Sequence, residues 1–175
     1  NDDQQSYVIV DKTVINDNGG SAEPNAFLLT VDGGAASDGV AVPVNPGVHT
    51  AGETPLPGYT AGAWGTDCSA NGSVTVALGE TKTCTITNDD QPAHLILVKH
   101  LPNDDGGLAT QNDFPVTLNG SPAVWGDNTV DAGAYTADET EMAGYTASVW
   151  SNACSDAGAV TLLPGETKTC EITND

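Results

Sequence analysis

The chain has 175 residues, with 24 Asp plus Glu against four Lys and no Arg, a formal net charge of −20. Such a surface repels phosphate backbones and anionic lipid, which excludes nucleic acid as a partner class, and no stretch is long and apolar enough for membrane insertion in this segment. The plain consequence of the charge is solubility, suited to a salty or calcium-rich exterior.

Taken in chain order, the strand signals are short and regular. Runs at 7–14, 26–32, 47–53, 59–64, 73–77 and 82–87 are rich in Val, Thr and aromatic residues, and Gly, Asn, Asp and Pro clusters separate them. No segment carries a helical period, so an all-β sandwich is expected. The second half repeats the first. GETKTCTITND at 79–89 returns as GETKTCEITND at 165–175, GYTA at 58–61 as GYTA at 144–147, and KTVINDNGG at 12–20 as KHLPNDDGG at 99–107. The offset is 87 residues early and 86 later, so one deletion separates the copies. The expected organisation is two tandem Ig-like or transthyretin-like β-sandwich domains, 1–88 and 89–175. The chain opens NDDQ, the first copy leads into the second with NDDQ, and Asn1 takes the place of Asn88 and Asn174, which reads as a piece of a longer array. Solenoid repeats are shorter and cannot fold singly, whereas this period suits independent beads. No signal peptide is read in the segment.

Cysteine spacing is the same in both copies. Cys68 and Cys84 are sixteen apart, as are Cys154 and Cys170, and Trp64 and Trp150 precede the first of each pair by four residues. Neither spacing is that of a zinc or CxxC redox site. Two intra-repeat disulfides are expected, each pinning the loop after the Trp to the last strand. They would place the protein in an oxidising compartment, extracellular and at the cell surface.

Alternation along the first strand singles out a lysine. Val8, Val10, Lys12 and Val14 share one face, and Leu95, Leu97, Lys99 and Leu101 share it in the second copy. A lysine within an apolar stripe is costly unless something compensates. Inward register adds Glu53 beside Ala51 and Asn88 beside Cys84 and Ile86; the second copy supplies Glu139 and Asn174. Ordinary buried salt bridges or a snorkelling lysine are the plain alternatives.

VDKTV, GETPLPGY and TITN, in that order and register, resemble the Cna B-type (SpaA-like) domain of bacterial surface proteins and pilins; VKHL, DETEMAGY and EITN of the second copy fit less closely. The resemblance spans essentially all of each repeat and implies a transthyretin-like sandwich. It also implies a spontaneous Lys–Asn isopeptide bond assisted by Glu. By position, Lys12 would bond Asn88 with Glu53 assisting, and Lys99 would bond Asn174 with Glu139 assisting. Desolvation favours neutral lysine and protonated glutamic acid, the forms such chemistry needs. The disulfide departs from the commoner pattern of the family.

The loops Asn16-Asp17-Asn18 and Asn103-Asp104-Asp105, each followed by Gly-Gly, offer clustered oxygen ligands. Calcium is the ion they would suit, with Asp89 and Asp90 adding to a site, although no EF-hand spacing is present and Asx-Gly clusters are commonly plain turns. No cofactor is required by the reading. His49, His94 and His100 do not recur at matching positions, and the sequons at Asn71 and Asn119 are short patterns. Trp64 and Trp150 read as core or disulfide-packing residues. Trp125 has no counterpart and is the best single candidate for a contact surface.

No Ser-His-Asp set, phosphate loop or basic patch is present, so an enzyme is not expected. The copies agree at core, cysteine and crosslink positions and differ at 33–46 and 119–132. That favours a structural segment of a stalk, pilus-like fibre or filament, partnered by further copies of the repeat. The alternative is an adhesin or carbohydrate-binding module whose ligand site belongs to one copy.

Overall fold

The computed structural model describes residues 3–175, so Asn1 lies outside the described residues. The chain divides between Gln91 and Pro92 into two units. The first contains β1 (Ser6–Ile15), β2 (Leu29–Val31), β3 (Gly34–Ala36), β4 (Ala41–Val44), β5 (Gly47–Glu53), β6 (Tyr59–Ala61), β7 (Gly65–Thr66), β8 (Ser73–Val76) and β9 (Thr81–Asp90). The second contains β10 (Ala93–His100), β11 (Val116–Leu118), β12 (Ser121–Pro122), β13 (Gly126–Val130), β14 (Gly133–Glu139), β15 (Ser151–Asn152), β16 (Ala159–Leu162) and β17 (Thr167–Thr173). Helical structure among the described residues is limited to the 3-10 turns Pro24–Ala26 and Gln111–Asp113. The Val-, Thr- and Gly-rich composition yields what it favours, short strands joined by tight turns.

Each unit is a two-sheet sandwich. In the first, one sheet runs β4-β1-β9-β6, with β7 also on β9, and the other runs β3-β2-β5-β8. The second repeats this as β13-β10-β17-β15 and β12-β11-β14-β16. First and last strands of each unit lie side by side and parallel, with Lys12 opposite Ile86 and Val14 opposite Asn88, and Lys99 opposite Ile172. Parallel neighbours cannot be joined by a hairpin, so the whole sandwich is the connection between them.

The cores follow the alternation. Val8, Val10, Cys84 and Ile86 of one sheet face Leu29, Val31, Ala51 and Val76 of the other. Leu95, Leu97, Cys170 and Ile172 face Val116, Leu118, Ala137 and Leu162 in the second unit. Each fully buried Val or Leu contributes about 1.5–3 kcal/mol of transfer free energy.

Several boundaries differ from the pattern reading. The run 26–32 begins in the 3-10 turn and ends at Asp32, whose positive φ of 52° turns the chain, so only three residues pair. The segment 33–46, read as a loop, holds β3 and β4, and 119–132 likewise holds β12 and β13. These strands escaped notice because Gly, Ala, Pro, Asp and Asn, all poor strand formers, are frequent in them; pairing with β1, β2, β10 and β11 imposes their extension. Strand pairing also places the deletion. Asp32 and Asn119, both at positive φ, keep the 87 offset, whereas Ala41 opposite Ile9 and Asp127 opposite Ile96 are 86 apart. The missing residue therefore falls in the β3–β4 and β12–β13 connections.

Candidate functional site

In each unit a lysine, a glutamate and an asparagine meet between the sheets. Lys12 on β1 and Asn88 on β9 point inward from adjacent strands, two positions apart in register, within reach of a long side chain. Glu53 arrives from the opposite sheet, at the end of β5 across from Leu29. Lys12 Nζ lies 2.8 Å from Glu53 Oε2, and Asn88 Nδ2 donates to Glu53 Oε1 at 2.8 Å. The lysine side chain is fully buried and that of Glu53 nearly so. The approach of Nζ to Oε2 lacks hydrogen-bond alignment, and Asn88 Oδ1 is buried without a donor. Phe27, just after the first 3-10 turn, sets its ring 4.2 Å from Nζ.

The second unit places Lys99, Glu139 and Asn174 in the same way. Lys99 Nζ donates to Glu139 Oε2 and, at 2.5 Å, to Asn174 Oδ1. Its side chain is also fully buried, and Phe114 lies 4.1 Å below it. Burial lowers the amine pKa of both lysines. The partner glutamates counter this only in part, joined in the first unit by a weaker contribution from Asp38. A buried primary amine biased toward its neutral form, touching a carboxylate and a carboxamide, has the components of an acyl transfer.

The disulfides Cys68–Cys84 and Cys154–Cys170 are present, with Cα atoms 5.0 and 5.1 Å apart, and the described residues include no free cysteine. Each joins the turn after the short strand β7 or β15 to the last strand. Trp150 is buried in the core and Trp64 packs against the other core, as the spacing predicts. Trp125 is not a free contact surface. It stacks on Trp150 with ring centroids 6.2 Å apart, donates its indole N–H to Phe114 O at 2.8 Å, and lies 5.3 Å from Lys99 Nζ.

The Asx-rich loops are held by hydrogen bonds. In the first, the Asp90 carboxylate accepts the backbone N–H groups of Asp17, Asn18 and Gly20. Burial opposes its charge, but these donors and the Asn18 side chain outweigh that and hold its pKa low. Asn16 Oδ1 accepts the Tyr59 hydroxyl, which itself accepts Ala22 N–H; Tyr145, Asn103 and Ala109 reproduce the latch. A Cβ on Gly20 or Gly107 would stand 2.3 Å from that hydroxyl, so glycine is required at both. Carboxylate oxygens of Asp17, Asp89 and Asp90 come within 4.8 Å of one another. Asp104 and Asp105 instead lie near Asp175, and Asp104 first, with burial and then Asp105, raises its pKa.

Each histidine pairs with a carboxylate: His49 with Asp32, His94 with Asp127 and His100 with Glu171. The amides of Asn71 and Asn119 are engaged in turn hydrogen bonds. Pattern reading overlooked Phe27, Phe114, Tyr59 and Tyr145 as site residues, yet each pair recurs at the repeat offset and was available as a signal.

Two sandwiches whose first and last strands run parallel, each around a buried Lys, Glu and Asn, define a tandem pair of prealbumin-like domains. The family model described as a prealbumin-like fold domain, of SpaA type, matches residues 3–86 and again 90–172, and the chain belongs to that family. Among solved structures, the Bacillus anthracis TIE protein is similar at 18% identity with a TM-score of 0.50; the alignment covers 98% of this chain and 34% of that one. The chain thus spans about a third of that protein's length. The major pilin T-13 of Streptococcus pyogenes serotype GAS131465 matches at 12% identity and a TM-score of 0.30, over 99% of this chain and 96% of the pilin. No curated protein sequence matches.

Proposed function

We propose that the chain is a structural segment of an extracellular surface stalk or pilus-like fibre, each repeat closed by an internal Lys–Asn amide. The observation that carries this reading is the convergence of Lys12, Glu53 and Asn88, and of Lys99, Glu139 and Asn174, in buried sites at equivalent places. A proton passes from the lysine to the glutamate. The neutral Nζ attacks Cγ of the asparagine while the carboxylic acid polarises Oδ1, which in the first unit has no other donor. The Nζ–Cγ bond forms, the Cγ–Nδ2 bond breaks, and the glutamate relays the lysine's protons to the departing ammonia. Nothing is oxidised or reduced.

The mechanical logic follows from topology. Lys12 and Asn88 stand on the first and last strands, so a covalent bond between them passes tension across the unit and leaves the intervening sandwich unloaded. Strand pairing alone would peel under sustained force, because unfolding has a finite rate. The disulfides and the family fold support an extracellular setting. No helix among the described residues is long and apolar enough to cross a membrane.

Intact mass decides the question. Wild-type protein is expected to weigh less than its disulfide-bonded sequence by two ammonia molecules. Glu53→Ala and Lys12→Ala should each restore one. A wild-type mass equal to that of the disulfide-bonded sequence overturns the amide reading.

A further inference from the structure

The two lysine sites differ at the connection where the deletion falls. In the first unit the β3–β4 connection places Asp38 Oδ1 on the Lys12 backbone N–H at 2.7 Å. Between the register fixed by β3 and β12 and that fixed by β4 and β13, residues 37–40 of the first unit stand where 124–126 stand in the second. The second unit therefore carries an indole in a connection where the first carries the acid Asp38. Trp125 is fixed from two directions, by stacking on Trp150 and by its hydrogen bond to Phe114 O, and with Phe114 it flanks Lys99 Nζ.

The consequence is visible in the contacts. Lys99 Nζ is bonded to both Glu139 and Asn174 Oδ1, whereas Lys12 Nζ meets Glu53 and the Asn88 carboxamide turns its Nδ2 to that glutamate instead. We propose that Trp125 is a positioning residue for the crosslink: it holds Lys99 against the Asn174 carboxamide and keeps water from the site, so that the second repeat forms its amide ahead of the first. This rests on the amide reading above. Orientation of a bound nucleophile against its acyl group accelerates such a step. Water exclusion acts on the same step, because an ion pair of Lys99 and Glu139 is unreactive and water entering the site would stabilise it. Glu139 Oε1 is buried without a partner, so a water entering a vacated indole space finds an acceptor there. The charged group facing Lys99 from the packed elements is Glu139 of β14; β17 presents Asn174, and Phe114 and Trp125 are uncharged. His100 and Glu171 pair on the exposed face of the sheet.

The test uses the full chain, purified unfolded and refolded under oxidising conditions over a pH series of about 5 to 9. Ammonia loss is followed in time by mass and assigned to each repeat by peptide mapping. In the wild type, the second repeat is expected to react several-fold faster than the first. Trp125→Ala should lower the second repeat's plateau rate roughly tenfold, and the acid and alkaline limbs of its pH profile should move apart as water stabilises the ion pair. Trp125→Phe, which restores a ring without the N–H, should recover most of the rate and return the limbs. The first repeat serves as the control within each molecule. Equal rates for the two repeats, or a Trp125→Ala profile with unmoved limbs, overturns the role of Trp125 while leaving the amide reading intact. Absence of ammonia loss from both repeats of the wild type overturns both.

Discussion

At the scale of single residues, the pairing of charges decides what pH does to this molecule. His49 has an acceptor on each ring nitrogen, Asp32 Oδ2 on Nδ1 and Asn45 O on Nε2, both at 2.7 Å. Only the doubly protonated ring satisfies both, so the Asp32 bond first and the Asn45 carbonyl second raise its pKa. A raised folded-state value means the clamp stabilises fully below the unfolded pKa, near 6.5, and is lost as pH rises through the folded value. The thermal-stability gap between wild type and His49→Gln is therefore expected to be widest below about pH 6.5 and to narrow as pH rises above it. Asp32 is shifted down, by His49 first, so its contribution is present above the unfolded carboxyl pKa and fails only in stronger acid. Equal gaps on either side of about pH 6.5 would show that folding does not raise the ring's pKa.

At the scale of elements, two tethers hold the ends of the first sandwich. The carboxylate of Asp90, at the end of β9, gathers three backbone N–H groups of the loop that follows β1. Asp90→Ala is expected to cost about 1.5–3 kcal/mol, the range for a charged acceptor, read from denaturant unfolding. Because the folded pKa of Asp90 is lowered, its contribution holds above the unfolded carboxyl pKa and is lost as pH falls through the folded value. Amide hydrogen exchange should locate the loosening at Asp17, Asn18 and Gly20 and leave β5 protected. The second tether is the disulfide. Replacing Cys68 and Cys84 together by Ala should lower stability by about 3 kcal/mol, since the closed loop is short. Only the transition of the first unit should move.

At the scale of the whole molecule, each unit owns a core, a disulfide and a buried triad, so segments 3–91 and 92–175 are expected to fold separately. Circular dichroism and cooperative melting of the two segments would check this; a segment that stays unfolded would show dependence on its neighbour. Much of this organisation was legible in the sequence, because period-two alternation names the inward face and repetition names the unit. Val8, Val10 and Lys12 declared one face, and the repeated GETKTC declared the last strand and its cysteine. Lys12, Glu53 and Asn88 could be assigned to the interior one strand at a time, since each inference needed only local periodicity. That they meet at one point was decided by the parallel pairing of β1 with β9 and the antiparallel pairing of β2 with β5, which are tertiary facts. Tertiary pairing also made strands of 34–36 and 41–44, where Gly, Ala and Pro give no local signal. Trp125 marks the same boundary from the other side. Its lack of a counterpart in the first repeat pointed to a contact surface, but the folded connection stacks the ring on Trp150. Local pattern fixes which way a side chain points along a regular strand; where a loop residue lands depends on the space its neighbours leave open, and only the packed sandwich sets that.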